Sequence, residues 1–347
     1  MGQDAKSYGL FAHSIATIDA LTITAGLRYS WDRKDGFGSF TAPQSFPLPV
    51  VHDYGAATPV PARVRDGGLS GTVSLSYAVS DDINLYGTYS RGYKSGGISL
   101  IRDAAGVLLA PAFGPIPPGC FAGPFPGTYS CNPEDPTFEK ETVNHFEAGL
   151  KTQFGGGVGT FNLALFHTKA KNLQTQALLP TGTFDVINIG SATTQGVDID
   201  ATIRPAPGFE ISAGVVYADV EDQNDNPIDH APKWSGGFGS TYEFDLNSSG
   251  LSGFVHGDLA FKSRYFTNND LSQSQGGYAL VNGRIGIRGD NGAWEASLWC
   301  RNCFDQHYRT IDFQIPLDGA AFNFDGASVL SYIGEARLYG LTIQYKY

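Results

Sequence analysis

Several groups of residues have types and spacings that chemistry uses. Asp222-x-Asn224-x-Asn226 copies the first ligands of a calcium loop. The Gly such a loop needs is Pro227 and its closing Glu is Lys233, so a solvated loop is the expectation. Cys300-x-x-Cys303 has the spacing of a redox pair or half a zinc site, but no second CxxC or close His pair accompanies it. Both cysteines fall in what reads as a strand from Trp294 to Phe304. Extended residues three apart are separated by about 10 Å, beyond disulfide reach. Arg91 and Lys94 with the glycines around them resemble an anion cradle, yet no Walker signature is present. Gly92-Tyr93-Lys94-Ser95-Gly96 also lacks the G-x-S-x-G order of a nucleophile elbow. Gly155–Gly159 has no following Lys-Ser/Thr and reads as a hairpin turn. With seven scattered histidines and no HExxH, the expectation is no enzyme, no metal site and no cofactor.

One stretch keeps two readings open. Ile98–Thr137 is rich in Pro and Gly and carries Phe113, Phe121, Phe125 and Tyr129. Such side chains suit a sugar or an aromatic chelator, and they equally suit the stiffening of a surface loop. Cys120 and Cys131 in the same stretch would brace it as a disulfide in an oxidising compartment.

The elements that must position these residues are strands. Leu21, Ile23, Ala25, Leu27, Tyr29 and Trp31 alternate with Thr22, Thr24, Gly26, Arg28 and Ser30. Ile211–Tyr217 and Ala279–Ile287 alternate in the same way, and no long segment has helical spacing. Leu341, Ile343, Tyr345 and Tyr347 share one face of a final strand, opposite Thr342, Gln344 and Lys346. Turn formers supply short connections at Ile18-Asp19, Ser80–Asp82, Gly155–Gly157, Pro205–Gly208, Asn247–Gly250 and Asp290–Gly292. Longer ones lie between them, near Arg33–Gly67, Ile98–Thr137, Leu178–Gly190, Gln223–Ala231, Asn268–Gly276 and Thr310–Ser331. Strict alternation of six short and six long connections implies about thirteen strands with all long loops at one end. That asymmetry belongs to outer-membrane β-barrels.

Composition agrees. Glycine is 44 of 347 residues, aromatics are 13% and charged residues only 16%, which suits strands, turns and aromatic belts. A net charge of −11 with no basic run argues against nucleic acid, and no 18-residue apolar stretch is present. Met1–Lys6 has no signal-peptide pattern. For an exported barrel, that absence and the odd strand count predict that the chain is part of a larger one.

The residues also resemble a known family. Gly26–Ser30 with Asp32 and Lys34, Tyr89–Gly97, Phe138–Glu141 leading into Glu147–Lys151, Asn188–Gly190 leading into Gln195–Asp198, Asn302–Tyr308 and Gly334–Arg337 before Tyr339–Leu341 stand in the order found in the carboxy-terminal half of TonB-dependent outer-membrane receptors. The pattern departs at Ala336, where Pro is common, and at Tyr347, where Phe is usual. The resemblance implies an all-β, antiparallel, up-and-down transmembrane barrel over residues 1–347, partial and without its plug, with short periplasmic turns and long extracellular loops. It implies a bacterial outer-membrane location and TonB-dependent uptake of a scarce siderophore, vitamin or oligosaccharide. TonB would act only through an amino-terminal plug region, and barrel-assembly machinery through the strand of Leu341, Ile343, Tyr345 and Tyr347, left as an open edge or paired near Ser7–Thr17. The alternatives are a soluble secreted all-β carbohydrate-binding or structural protein and a smaller porin-like channel.

Overall fold

The computed structural model describes residues 2–38, 60–98, 107–109, 120–122, 128–131, 137–178, 184–247, 250–268, 271–289, 292–314 and 329–346. Thirteen strands form one antiparallel sheet: β1 (Gly2–Ile18), β2 (Leu21–Gly38), β3 (Val60–Ser80), β4 (Ile83–Lys94), β5 (Glu141–Phe154), β6 (Gly159–Lys171), β7 (Ser191–Ala206), β8 (Phe209–Asp222), β9 (Trp234–Asp245), β10 (Ser252–Lys262), β11 (Tyr278–Gly289), β12 (Trp294–Arg301) and β13 (Leu338–Tyr345). Each pairs with its neighbours in chain order. No helix among the described residues is long and apolar enough to cross a membrane.

The connections alternate as the sequence predicts, so every short one lies at one rim. β1 turns into β2 over Asp19 and Ala20, and β3 into β4 over Asp81 and Asp82. β7 turns into β8 over Pro207 and Gly208. Gly208 has a φ of 74°. A Cβ there would stand 2.1 Å from the Glu243 carbonyl oxygen, so close approach and backbone conformation both call for glycine.

At the other rim the connections carry short pairs of their own, including Gln174–Leu178 with Phe184–Asn188 and Arg309–Gln314 with Val329–Ile333. The second connection is shorter than the expected Arg33–Gly67. The ladder continues to Gly38 opposite Val60, because backbone pairing does not stop where the apolar pattern stops.

Register places the apolar faces of all thirteen strands side by side. One such row runs Leu163, Ile199, Val215 through β6–β8, and another runs Val255, Ile285, Leu298, Leu341 through β10–β13. Among the described residues, the buried apolar and aromatic side chains are Ala62, Val64, Ile98, Ala192, Phe254 and Tyr265. Leu10, Leu165, Phe238, Leu298 and Leu341 instead stand half or more exposed. A continuous apolar face on a single sheet is strongly unfavourable in water and natural in hydrocarbon. The soluble alternative required a second sheet packed on this face, and among the described residues none is present.

Aromatic residues border that face at both rims. Toward the long loops, Tyr29 meets Trp31, Tyr89 meets Phe146 and Tyr217 meets Trp234 with ring centres 4.7, 4.8 and 4.9 Å apart. Toward the short turns, Phe209 meets Tyr242 at 5.8 Å. Two girdles flanking an apolar band match the two interfaces of a bilayer.

Among the described residues the sheet does not close on itself: β1 pairs with β2 alone, and β13 with β12 alone. The outward side chains Leu341, Ile343 and Tyr345 sit on that open final edge, and Tyr347 lies outside the described residues.

Candidate functional site

The face opposite the apolar band is polar, since alternate residues point the other way. Hydroxyls pair across β3 and β4, Thr72 with Ser90 at 3.0 Å and Ser74 with Thr88 at 2.9 Å. The Tyr86 hydroxyl donates to Glu147 Oε1 at 2.7 Å, and His145 lies between Thr168 and Glu147. Farther along, Asn162 donates to Asp200 and Asn282 to Asp258, each at 2.7 Å. Arg284 and Arg288 both bind Glu295, and the Arg288 guanidinium lies 4.4 Å from the Phe254 ring centre. These are mutually satisfied groups, most of them half-buried and Asp200 exposed, that can hydrogen-bond water, a polar solute or another protein surface. A recess of about 550 Å³ lies on this face of β10–β13, among His256, Asp258, Arg284, Trp299 and Glu335.

At the long-loop rim, two polar clusters join loops that are distant in sequence. In the first, Lys34 Nζ donates to Ser95 Oγ at 2.8 Å and to the Gly96 carbonyl at 2.5 Å. The Gly96 amide donates to Asp66, the Tyr93 hydroxyl to Asp32, and Lys140 to the Gly67 carbonyl. The glycine-rich segment after Arg91 is therefore tied down by its own chain rather than shaped around an anion. Asn188 and Gln174 donate to the Glu139 carbonyl, which brings in the β6–β7 connection.

The second cluster surrounds Asp312, whose side chain is fully buried. It accepts hydrogen bonds from the hydroxyls of Thr267 and Ser331, and Arg309 Nη1 stands 3.3 Å away. The Asp312 amide donates to the Thr267 carbonyl at 3.0 Å, and the His230 amide donates to the Phe266 carbonyl at 2.8 Å. Three long connections, β8–β9, β10–β11 and β12–β13, thus meet at one node. Burial alone would push the Asp312 carboxyl up. The Ser331 and Thr267 hydroxyls and the Arg309 charge outweigh it, and the net shift is downward.

Asp222-x-Asn224-x-Asn226 proves to be a self-capped turn. Asp222 Oδ1 accepts the amides of Asn224 and Asn226 at 2.7 and 2.9 Å, and hydrogen bonds from Asn226 lead in holding its carboxyl low. Among the described residues there is no cluster of metal-ligating side chains.

The expected separation of Cys300 and Cys303 is wrong. They form a disulfide, with Cα atoms 5.4 Å apart. β12 ends at Arg301, and Asn302 turns the chain with a φ of 46°, so the pair is not extended. The Cys303 amide donates to the Val281 carbonyl, which fixes the turn to β11. Thiol labelling of the unreduced, denatured chain is expected to leave Cys300 and Cys303 unmodified, and labelling of both would contradict the bridge.

The remaining expected residues lie in the β4–β5 connection. Thr128–Cys131 pairs with Cys120–Ala122, setting Cys120 opposite Cys131 and bringing Phe121 and Tyr129 onto adjoining strands. Phe113 and Phe125 lie outside the described residues. Nothing in the local sequence marked the Asp312 node, because Thr267 and Asp312 are 45 positions apart.

A continuous apolar face, a polar face opposite, two aromatic girdles and one-sided long loops can be compared with known proteins. The family described as TonB dependent receptor-like, beta-barrel matches residues 1–303. The chain belongs to that family. The pesticin receptor of Yersinia enterocolitica is 23% identical to this TonB-dependent receptor-like barrel over 291 residues, which is 80% of this chain and 36% of that protein. The structure of the ferric yersiniabactin uptake receptor FyuA from Yersinia pestis superposes with a TM-score of 0.72 at 19% identity, covering 98% of this chain and 45% of the other. The siderophore receptor PiuA from Acinetobacter baumannii gives 0.69 at 16% identity, covering 99% and 44%. This TonB-dependent receptor-like chain thus spans between about a third and a half of the relatives it matches. Its strands are those of an outer-membrane β-barrel.

Proposed function

We propose that the chain is wall and loop scaffold of a receptor that takes up a scarce nutrient across the outer membrane. The candidates are a siderophore-iron complex, a vitamin or an oligosaccharide. The observation that carries this reading is the pairing of a lipid-compatible outer face with a polar inner face whose long loops are welded at one rim. A loop platform held by buried polar nodes can meet a solute larger than a porin admits. The relatives named for ferric yersiniabactin and for siderophores favour an iron chelate as first candidate.

An open sheet of thirteen strands leaves backbone groups unpaired at β1 and β13, at several kcal/mol for each one facing hydrocarbon. With an odd number, the two edge strands run parallel, so direct antiparallel closure is unavailable. In this reading further strands lie between them in the assembled receptor, and barrel-assembly machinery engages β13. TonB acts through a plug rather than through this wall. In this reading Cys120 and Cys131 brace the β4–β5 connection as a disulfide, and the aromatic residues of that connection are the candidates for ligand contact.

The test is uptake by cells with and without the gene, using radiolabelled ferric siderophores, cobalamin and an oligosaccharide. Gene-dependent uptake of one of them, abolished when the proton gradient is collapsed, is the expected result. Equal uptake of all three probes in both strains would sink the proposal.

A further inference from the structure

The Cys300–Cys303 bridge spans only Arg301 and Asn302. A cross-link over so short a span restrains the unfolded chain less than one that closes a long loop. It fixes a single turn instead, and that turn organises the base of a long connection. Asn302 is 4% exposed and has a left-handed backbone, with a φ of 46°. Its side-chain amide donates to the Gln306 carbonyl at 2.9 Å and to the Glu335 carbonyl at 3.0 Å, and its Oδ1 accepts the Gln306 amide at 2.8 Å. Its backbone amide donates to Asn282 Oδ1 at 3.0 Å. One residue therefore ties the outgoing and returning legs of the β12–β13 connection to each other and to β11. Asp305 is left-handed as well, with a φ of 55°, and accepts the Arg337 amide at 3.2 Å.

The bridge lies at the surface of the wall rather than inside it. Both cysteines are half-buried. Cys300 stands opposite Tyr339, which is 69% exposed, and Phe304 beside Cys303 is 78% exposed. A small solute at the long-loop rim can therefore reach the sulfurs, and reach is one of the conditions for thiol–disulfide exchange.

We propose that Cys300 and Cys303 form a thiol-responsive clasp, which a low-molecular-weight thiol opens to release the two legs of the β12–β13 connection. A thiolate attacks one sulfur, forms a mixed disulfide and expels the other cysteine as a thiolate. A second thiolate attacks the reagent's sulfur in that mixed disulfide and expels the second cysteine. Two electrons pass to the cysteine pair, the reagent's two protons end on the cysteine sulfurs, and the reagent leaves as its own disulfide. While the bridge is closed, Asn302 is held left-handed between its two ends. Once it is open, Asn302 returns to an extended backbone and gives up Gln306 and Glu335. The extended run from Trp294 to Phe304 that alternation alone predicts is then the conformation of the reduced turn. The Asp312 node is held separately, by Thr267 of the β10–β11 connection. This assignment does not depend on the uptake reading above.

The test uses the full chain, folded in detergent at neutral pH, with reduced glutathione as the thiol. Iodoacetamide trapping and peptide mass mapping should find Cys300 and Cys303 alkylated in the folded chain. Release of a left-handed residue other than glycine shifts a local opening equilibrium by roughly fivefold or more. Amide exchange at Asn302, Cys303, Asp305, Gln306 and Arg337 should therefore quicken by at least about fivefold and slow again on reoxidation. The middle of β10 and β11 should exchange as before. The double variant Cys300→Ser, Cys303→Ser should exchange at the faster rate with or without glutathione. A bridge that stays closed until the chain is denatured overturns the proposal, and so does reduction that leaves these amides unchanged. Reduction that melts the strands, or a double variant as protected as the oxidised chain, also overturns it. If the double variant does not fold, reduction and reoxidation of the wild-type chain decide alone.

Discussion

Leu165→Arg is expected to destabilise the folded wall by about 2–4 kcal/mol, the cost of an arginine facing lipid near the bilayer midplane. Leu165 lies at the middle of β6, half exposed, with Ala148 and Val197 beside it on the neighbouring strands. Its side chain has only lipid to face, so the guanidinium would have to thin the bilayer or reach for an interface. The folded-to-unfolded ratio should fall by roughly 30- to 900-fold. The adjacent Ala164→Arg points to the polar face, opposite Gly149 and Asp198, and is expected to change stability by no more than about 0.5 kcal/mol. Denaturant titration in phospholipid vesicles, followed by tryptophan emission, measures both. If Leu165→Arg proved neutral and Ala164→Arg damaging, the assignment of faces would be reversed.

Asp312→Ala is expected to loosen the loop platform by about 2–4 kcal/mol while leaving the strands in place. The substitution leaves the fully buried Thr267 hydroxyl without its acceptor and Arg309 without its carboxylate. The cost stays below that of a fully buried ion pair because the Arg309 side chain is 37% exposed and also donates to the Ser274 carbonyl. Amide hydrogen exchange at Thr267 and Asp312 should accelerate by roughly 30- to 900-fold, with β10 and β11 unchanged. The same carboxylate predicts a pH dependence. Its folded-state pKa lies below the ordinary 3.8, so its contribution is fully present above that value and is lost as pH falls through the folded pKa. Loop protection should therefore hold at neutral pH and fade only in acid below about 4. The Ala variant should show no such transition. Exchange that is unchanged by the substitution at neutral pH would remove the node from the account of loop order.

The strands were legible because their pattern is local. Alternation in Leu21–Trp31 or Leu341–Tyr345 needs no partner to be read, since each side chain's face follows from the one two residues away. The turn chemistry of Asp19, Gly208 and the Gly155–Gly157 run is equally local, and it yields the six-and-six alternation of connections. The Cys300–Cys303 bridge escapes a strand-by-strand reading because one residue, Asn302, leaves the extended conformation. The apolar pattern stops short of Gly38 and Val60, where ladder hydrogen bonds carry on above the apolar band.

What the sequence determined by itself is the class of object: an amphipathic antiparallel wall with long loops on one side, set by period-two patterning and turn formers. Tertiary structure alone decided which residues meet. Thr267 reaches Asp312, and Arg91 stands in line with Lys169, only after register has been set strand by strand. Register is a pairing between segments, so a side chain's face can be read along one strand but its neighbours cannot.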